Sequence, residues 1–135
     1  MRYASYLASL EKFGINLGLE RITYLLKKLG DPHLKFKSIH IAGTNGKGST
    51  AAMTASILKE AGYKVGLYTS PHLFDYRERI NINGKDISKS DFGSGLELIK
   101  KTSNKLANKP TNKPTVFEAL TAVAFWYFAK KKVDY

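Results

Sequence analysis

The sequence predicts an α/β domain of the phosphate-loop type: a three-layer α/β/α arrangement with a parallel sheet, present in incomplete form, plus a β-hairpin. Three observations carry this reading. The apolar run Ile39-His40-Ile41-Ala42 ends in the glycine-rich turn Gly43-Thr44-Asn45-Gly46-Lys47-Gly48-Ser49 and leads into an alanine-rich helical stretch. A second apolar run, Tyr63 to Thr69, follows that stretch. Strand–helix–strand order gives a right-handed crossover between parallel strands. Arg79 to Ile87 alternates around Asn83-Gly84, the strongest short-range hairpin signal.

The elements follow in order. Tyr3, Leu7 and Leu10 recur at helical spacing up to Lys12, and Phe13-Gly14-Ile15-Asn16-Leu17-Gly18 breaks that helix with two glycines. Ile22, Leu25, Leu26 and Leu29 mark a one-faced helix closed by Gly30 and followed by Pro32. Phe36 to Ala42 reads as a buried strand, Gly48 to Ala61 as a helix ended by Gly62, and Tyr63 to Thr69 as the second strand. Ser88 with Asp91 resembles a capping box opening a helix to about Asn104. Lys105 to Pro114 is a polar loop. Thr115 with Glu118 forms a second capping box, opening a helix over Phe117 to Ala129 that is apolar on nearly every face and expects cover all round. Glu118 reads first as that helix's cap and only second as a catalytic acid. Lys132-Val133-Asp134-Tyr135 looks like the opening of a further strand. Two strands, a hairpin and one apolar helix do not close a layered core, so the chain reads as part of a domain.

Composition narrows the function classes. At 135 residues and 43% hydrophobic content there is material for one small domain or a piece of a larger one. No run approaches the roughly 18 apolar residues of a membrane helix, and the first residues lack a secretory signal pattern. The absence of cysteine excludes disulfides and thiolate metal sites and fits a cytoplasmic protein. Three separated histidines offer no zinc spacing. The net charge of +11 is carried by scattered lysines without a base-stacking platform, which points to a solvated surface and not to nucleic acid. The partners expected are small anionic molecules, with no membrane, for a monomer.

The glycine-rich turn carries the chemistry. Glycines let the backbone wrap with its N–H groups turned inward, the following helix contributes partial positive charge, and Lys47 contributes a full one. Gly48 stands where a serine or threonine usually follows the lysine, so a metal-facing hydroxyl comes from Ser49 or from elsewhere. The second strand delivers Thr69-Ser70-Pro71-His72 to the edge that holds the turn, where ligands bind in open α/β sheets. Ser70 and His72 are site candidates by position, although His72 reads equally well as a loop histidine facing water.

Taken together, Phe13-Gly14-Ile15, Leu17-Gly18-Leu19-Glu20-Arg21, the Gly43–Ser49 turn, Tyr68-Thr69-Ser70-Pro71-His72-Leu73, Arg77-Glu78-Arg79-Ile80 and Phe117-Glu118-Ala119-Leu120-Thr121-Ala122 resemble the folylpolyglutamate synthase/dihydrofolate synthase family. These are Mur-ligase-like, ATP-dependent amide ligases. The resemblance covers essentially the whole chain and implies the N-terminal portion, residues 1–135, of the ATP-binding domain. It implies that ATP and Mg2+ are used to activate a folate or dihydropteroate carboxylate as an acyl phosphate, which the amine of L-glutamate attacks. By position, Gly43, Thr44, Asn45, Gly46, Lys47, Gly48 and Ser49 would hold the ATP phosphates, with Lys47 catalytic. Ser70 would be a magnesium ligand. Gly18, Leu19, Arg21, His72, Arg79, Thr115, Phe117 and Glu118 would lie near the pterin substrate. A glycine after Lys47 is normal for this family. Further ligands and the glutamate-binding domain would lie beyond Tyr135, so the 135-residue chain alone is expected to be inactive. The competing reading is a non-catalytic nucleotide-binding module.

Overall fold

The computed structural model describes residues 2–106 and 113–135. It is an α/β structure of five α-helices and a small sheet: α1 (Arg2–Glu11), α2 (Glu20–Lys28), α3 (Lys47–Glu60), β1 (Gly66–Tyr68), β2 (Ile80–Ile82), β3 (Lys85–Asp86), α4 (Lys89–Leu106) and α5 (Val116–Lys131). Short 3-10 turns cover Pro32–Leu34 and Tyr76–Arg79. The helix over the Ile22 stripe closes as expected: Gly30 N–H bonds to Lys27 O and Asp31 N–H to Leu26 O, which satisfies carbonyls the helix end would leave open. Of the two expected capping boxes, the one at Thr115 forms in full and the one at Ser88 only by half. Ser88 Oγ accepts from the Asp91 N–H, and Thr115 and Glu118 cap each other's backbone at the start of α5. Most of the polar loop expected over Lys105 to Pro114 lies outside the described residues.

The core is built on α5. Ala119, Leu120, Ala122, Val123 and Ala124 are fully buried there, against Leu7 and Leu10 of α1, Leu25 and Leu26 of α2, Phe92, Leu96 and Ile99 of α4, and Ile80 and Ile87 of the hairpin. The hairpin turn falls at Asn83-Gly84, both at positive φ, and joins β2 to β3 antiparallel. β1 lies on the other side of β2, also antiparallel, with Leu67 opposite Asn81. Gly66 on β1 is a close-approach glycine, since a Cβ there would sit 2.7 Å from the Phe128 ring of α5.

Two expectations are corrected. The run Phe36 to Ala42 is neither an assigned strand nor buried: it is an open segment with residues 37–40 exposed. The assigned sheet is antiparallel throughout, not parallel. The physical cause is the same for both. Segment 36–42 and β1 do not pair with each other, because a gap lies between them that only the last residues of the chain enter. Lys37 N–H donates to Asp134 O, Asp134 N–H to Lys64 O, and Gly66 N–H to Tyr135 O. Those last bonds have the slanted pattern of parallel pairing. The second strand is also shorter than the Tyr63–Thr69 run. α3 stands beside this gap with no buried residue, and Met53 and Ile57 are 59% and 70% exposed.

Substituting the two glycines that differ most in surroundings tests this packing. Gly66→Ala drives a methyl into the Phe128 ring and is expected to lower unfolding stability by about 1–3 kcal/mol. Gly93→Ala, inside α4 with open space around it, is expected to raise it by about 0.5–1 kcal/mol. Urea unfolding of the two variants against the parent chain reads both.

Candidate functional site

The glycine-rich turn enters α3 through Gly46, whose left-handed backbone (φ 73°) is the helix N-cap. The first helical bond is Thr50 N–H to Gly46 O, so the amides of Lys47, Gly48 and Ser49 precede the helix ladder and have no partner within it. Residues 43–50 are all exposed. The Lys47 ammonium folds back over the turn, donating to Gly43 O at 2.7 Å and reaching Thr44 O at 3.5 Å. Unpaired amides and one cation on a helix N-terminus suit a multiply charged anion.

A cavity of about 550 Å³ opens beside this turn, between segment 36–41, β1, α3 and α5. Of the residues singled out in the sequence, Lys47, Gly48, Ser70 and Phe117 line it. The phosphate-type turn and the tip of β1 therefore open on one space. Gly43, Thr44, Asn45, Gly46 and Ser49 belong to the same turn without lining the cavity. Arg21, Thr115 and Glu118 form one hydrogen-bonded group and His72 and Arg79 another, while Gly18 and exposed Leu19 lie in the loop that enters α2.

The first group is a knot at the start of α5. Arg21 Nε donates to Glu118 Oε2 at 3.2 Å, and Thr115 N–H donates to the same oxygen at 2.8 Å. Arg21 Nη2 donates to Asn16 O at 2.6 Å. It also lies 3.1 Å from Glu118 Oε1 without a hydrogen-bonding angle, a contact that is Coulombic only. Both side chains are close to buried, at 15% and 8% exposure. Arg21 thus ties the loop around Gly14–Gly18 to α5, and Glu118 is both cap and ion-pair partner. In this arrangement their charges are spent on each other, and what they offer a ligand is shape. Leu19 and Phe117 stand exposed beside the knot at 75% and 59%.

The second group follows a cis Ser70–Pro71 bond. Arg79 Nε donates to His72 Nδ1 at 2.8 Å, which leaves the ring proton on Nε2 of the neutral imidazole, and Tyr76 packs 4.3 Å from the His72 ring. Glu78 holds the turn by accepting from the amides of Leu73, Phe74 and Asp75 at 2.8, 2.9 and 2.7 Å. These amides, Leu73 foremost, hold its carboxyl below the usual carboxylate range. Asp75 caps the same turn, its carboxyl lowered chiefly by the Arg77 N–H. Glu78, Asn16 and Tyr68 stand inside segments quoted above but not among the expected site residues. The Asp75-x-x-Glu78 spacing ahead of Ile80 is a capping-box signal for the first, and Tyr68 opens the Tyr68–Leu73 motif; no local spacing marks Asn16. Tyr68 is half-buried, accepts from the Thr121 hydroxyl at 3.2 Å and stacks on Phe117, and desolvation of its phenol raises it above the ordinary value.

Among the described residues no group of three or more His, Asp or Glu side chains could hold a metal. Ser70 offers one hydroxyl. A divalent ion beside it would have to take its other ligands from phosphate oxygens and water, which is the normal habit of magnesium-type sites. The donor set fits a metal that arrives with a phosphate ligand. No helix among the described residues is long and apolar enough to cross a membrane.

No protein-family model matches the chain. The dihydrofolate synthase/folylpolyglutamate synthase of Bacillus subtilis (strain 168) is 44% identical over 125 residues, covering 92% of this chain and 29% of its own length. The folylpolyglutamate synthase of Mycobacterium tuberculosis, solved in complex with ADP, superposes with a TM-score of 0.89 at 34% identity, over 98% of this chain and 30% of that one. A bifunctional folylpolyglutamate synthase/dihydrofolate synthase solved with Mn, AMPPNP and L-glutamate bound gives a TM-score of 0.83 at 35% identity, over 97% and 31% of the two chains. The chain spans about three-tenths of the length of these three relatives.

Two outcomes follow from the knots. Arg21→Ala leaves Glu118 near-buried without its counter-charge and is expected to cost about 3 kcal/mol of stability in urea unfolding, with the loop before α2 losing amide protection first. Because the Glu78 carboxyl is lowered in the folded chain, its stabilisation is present above the unfolded value of about 4.3 and is lost as pH falls through the folded value. Stability is therefore expected to drop below about pH 4, and Glu78→Gln to lower it at neutral pH while flattening that acid limb, as read by thermal melts across pH.

Proposed function

We propose, from the premise that this chain belongs to the folylpolyglutamate synthase/dihydrofolate synthase family over the stretch it spans, that it forms the nucleotide-binding part of an ATP-dependent carbon–nitrogen ligase. The carrying observation is that Lys47 and Gly48 of the glycine-rich turn and Ser70 at the tip of β1 line one cavity. The proposed frame is the three-layer α/β/α phosphate-loop domain with a parallel sheet, of which residues 1–135 are the N-terminal portion. The proposed setting is a monomer in the cytoplasm.

In the proposed reaction the whole protein transfers the γ-phosphoryl group of ATP to a carboxylate of a folate or of dihydropteroate. The carboxylate resists amines until one oxygen becomes a good leaving group. The acyl phosphate provides it, and the amine of L-glutamate displaces phosphate to give the amide. Phosphoryl transfer needs positioning and charge neutralisation more than covalent help. Gly43, Thr44, Asn45, Gly46, Gly48 and Ser49 present backbone amides to the phosphates. Lys47 exchanges its hold on the Gly43 and Thr44 carbonyls for the phosphate oxygens, a better partner for an ammonium group. Mg2+, held through Ser70 and those oxygens, would neutralise further charge. Gly18, Leu19, Arg21, Thr115, Phe117 and Glu118 shape the pterin side, with exposed Leu19 and Phe117 offering apolar surface to a flat ring. His72, with its Nε2 proton outward, and Arg79 offer donors on the other side.

Isothermal titration with ADP and Mg2+ tests the reading. Lys47→Ala is expected to weaken binding by about 10- to 100-fold, the value of hydrogen bonds to a charged group. Affinity equal to that of the parent chain would overturn the phosphate assignment.

A further inference from the structure

Ser70 stands at the cavity in a three-residue loop, Ser70-Pro71-His72, that follows β1 after Thr69. The loop is fastened at three points, and all three partners belong to the dipeptide Glu78-Arg79. Before it, Thr69 N–H donates to Arg79 O at 3.0 Å. Within it, Arg79 Nε donates to His72 Nδ1 at 2.8 Å. After it, Leu73 N–H donates to Glu78 Oε2 at 2.8 Å, while Glu78 Oε1 takes the Phe74 and Asp75 amides. The side chains of Leu73 and Phe74 are 85% and 93% exposed, so packing does not hold that end of the loop. The carboxylate does. A capping box at the Tyr76–Arg79 turn uses only the Asp75 amide; the bonds to Leu73 and Phe74 reach outside the turn, toward the loop.

We propose that Glu78 is a positioning residue for the phosphate and metal side of the cavity: through the Leu73 and Phe74 amides it fixes the Ser70–His72 loop, so that the Ser70 hydroxyl is held in place for a divalent cation carried by nucleotide phosphates. This deepens the proposed function and rests on its assignment of Ser70. With both oxygens committed to amides, the carboxylate acts through the loop and is not a ligand itself. The gain is pre-organisation. A lone hydroxyl on an exposed loop would have to be ordered when the ion arrives, and a loop fixed beforehand removes that cost.

Glu78→Gln separates this role from a general one in the turn. Glutamine has one acceptor oxygen; with that oxygen on the Phe74 and Asp75 amides, its NH2 group meets the Leu73 N–H donor against donor, and the loop end is released. Without nucleotide, the Leu73 amide is expected to exchange about tenfold faster or more, with Leu120 and Val123 as slow as in the parent chain. Calorimetric titration with ADP, with and without Mg2+, then reads the consequence. The gain in ADP affinity that Mg2+ adds is expected to shrink by about tenfold in Glu78→Gln, as in Ser70→Ala, and no further in the double variant. ADP affinity without Mg2+ is expected to stay within about twofold of the parent. Asp75→Ala frees the Arg77 N–H in the same turn and is expected to keep the Mg2+ gain. Glu78→Asp, one methylene shorter with both acceptors kept, is expected to fall between parent and Glu78→Gln, and carries the test if Glu78→Gln does not fold. An unchanged Leu73 amide, a parent-like Mg2+ gain in the Glu78 variants, an equal loss in Asp75→Ala or an additive loss in the double variant overturns the proposal. A parent chain that binds ADP with no Mg2+ gain, or not at all, ends the Ser70 assignment and this proposal with it, and that failure shows before any variant is compared.

Discussion

The constraint on which this structure turns is the apolar surface of α5. A helix with Ala119, Leu120, Val123, Ala124 and Phe128 distributed around its axis has no side it can leave in water. α1, α2 and α4 cover one part, and the hairpin with β1 covers another. The part carrying Phe117, Thr121 and Phe125 faces the cavity instead. Everything placed next to that open side, the glycine-rich turn included, depends on how it is covered.

The same helix organises the candidate site from its first turn. Thr115 and Glu118 close the N-terminus of α5, and Glu118 extends that local role across the structure by pairing with Arg21. A residue that caps a helix thereby fixes the distant loop of Asn16, and Phe117 between the two caps is left exposed at the cavity rim. A turn on the other side, held by Glu78 and by the Arg79–His72 bond, sets the neighbourhood of Ser70. Beside these two hydrogen-bonded knots, the glycine-rich turn is closed on itself by the Lys47 ammonium at the Gly43 and Thr44 carbonyls.

α3 shows the other side of this dependence. Its sequence is helical and its cap is correct, yet its own contacts bury nothing. Secondary structure here is decided locally, whereas α3 faces the open space between segment 36–42 and β1 and finds no packing partner on that side. The strand expected at Phe36–Ala42 has the composition of a strand without the partners that make one, because a strand is a property of at least two segments.

Residue order alone determined the helices, their caps, the Asn83-Gly84 hairpin, the all-round apolar α5 and the phosphate-type turn, because each depends on groups within a few positions of one another. It also determined the family, through motifs that recur in order. Tertiary structure alone decided that β1 pairs antiparallel with β2 while standing apart from segment 36–42, and that Arg21 and Glu118 spend their charges on each other. Those facts join residues tens of positions apart, and pairing across such separations is set by which surfaces meet, a quantity that no local spacing contains.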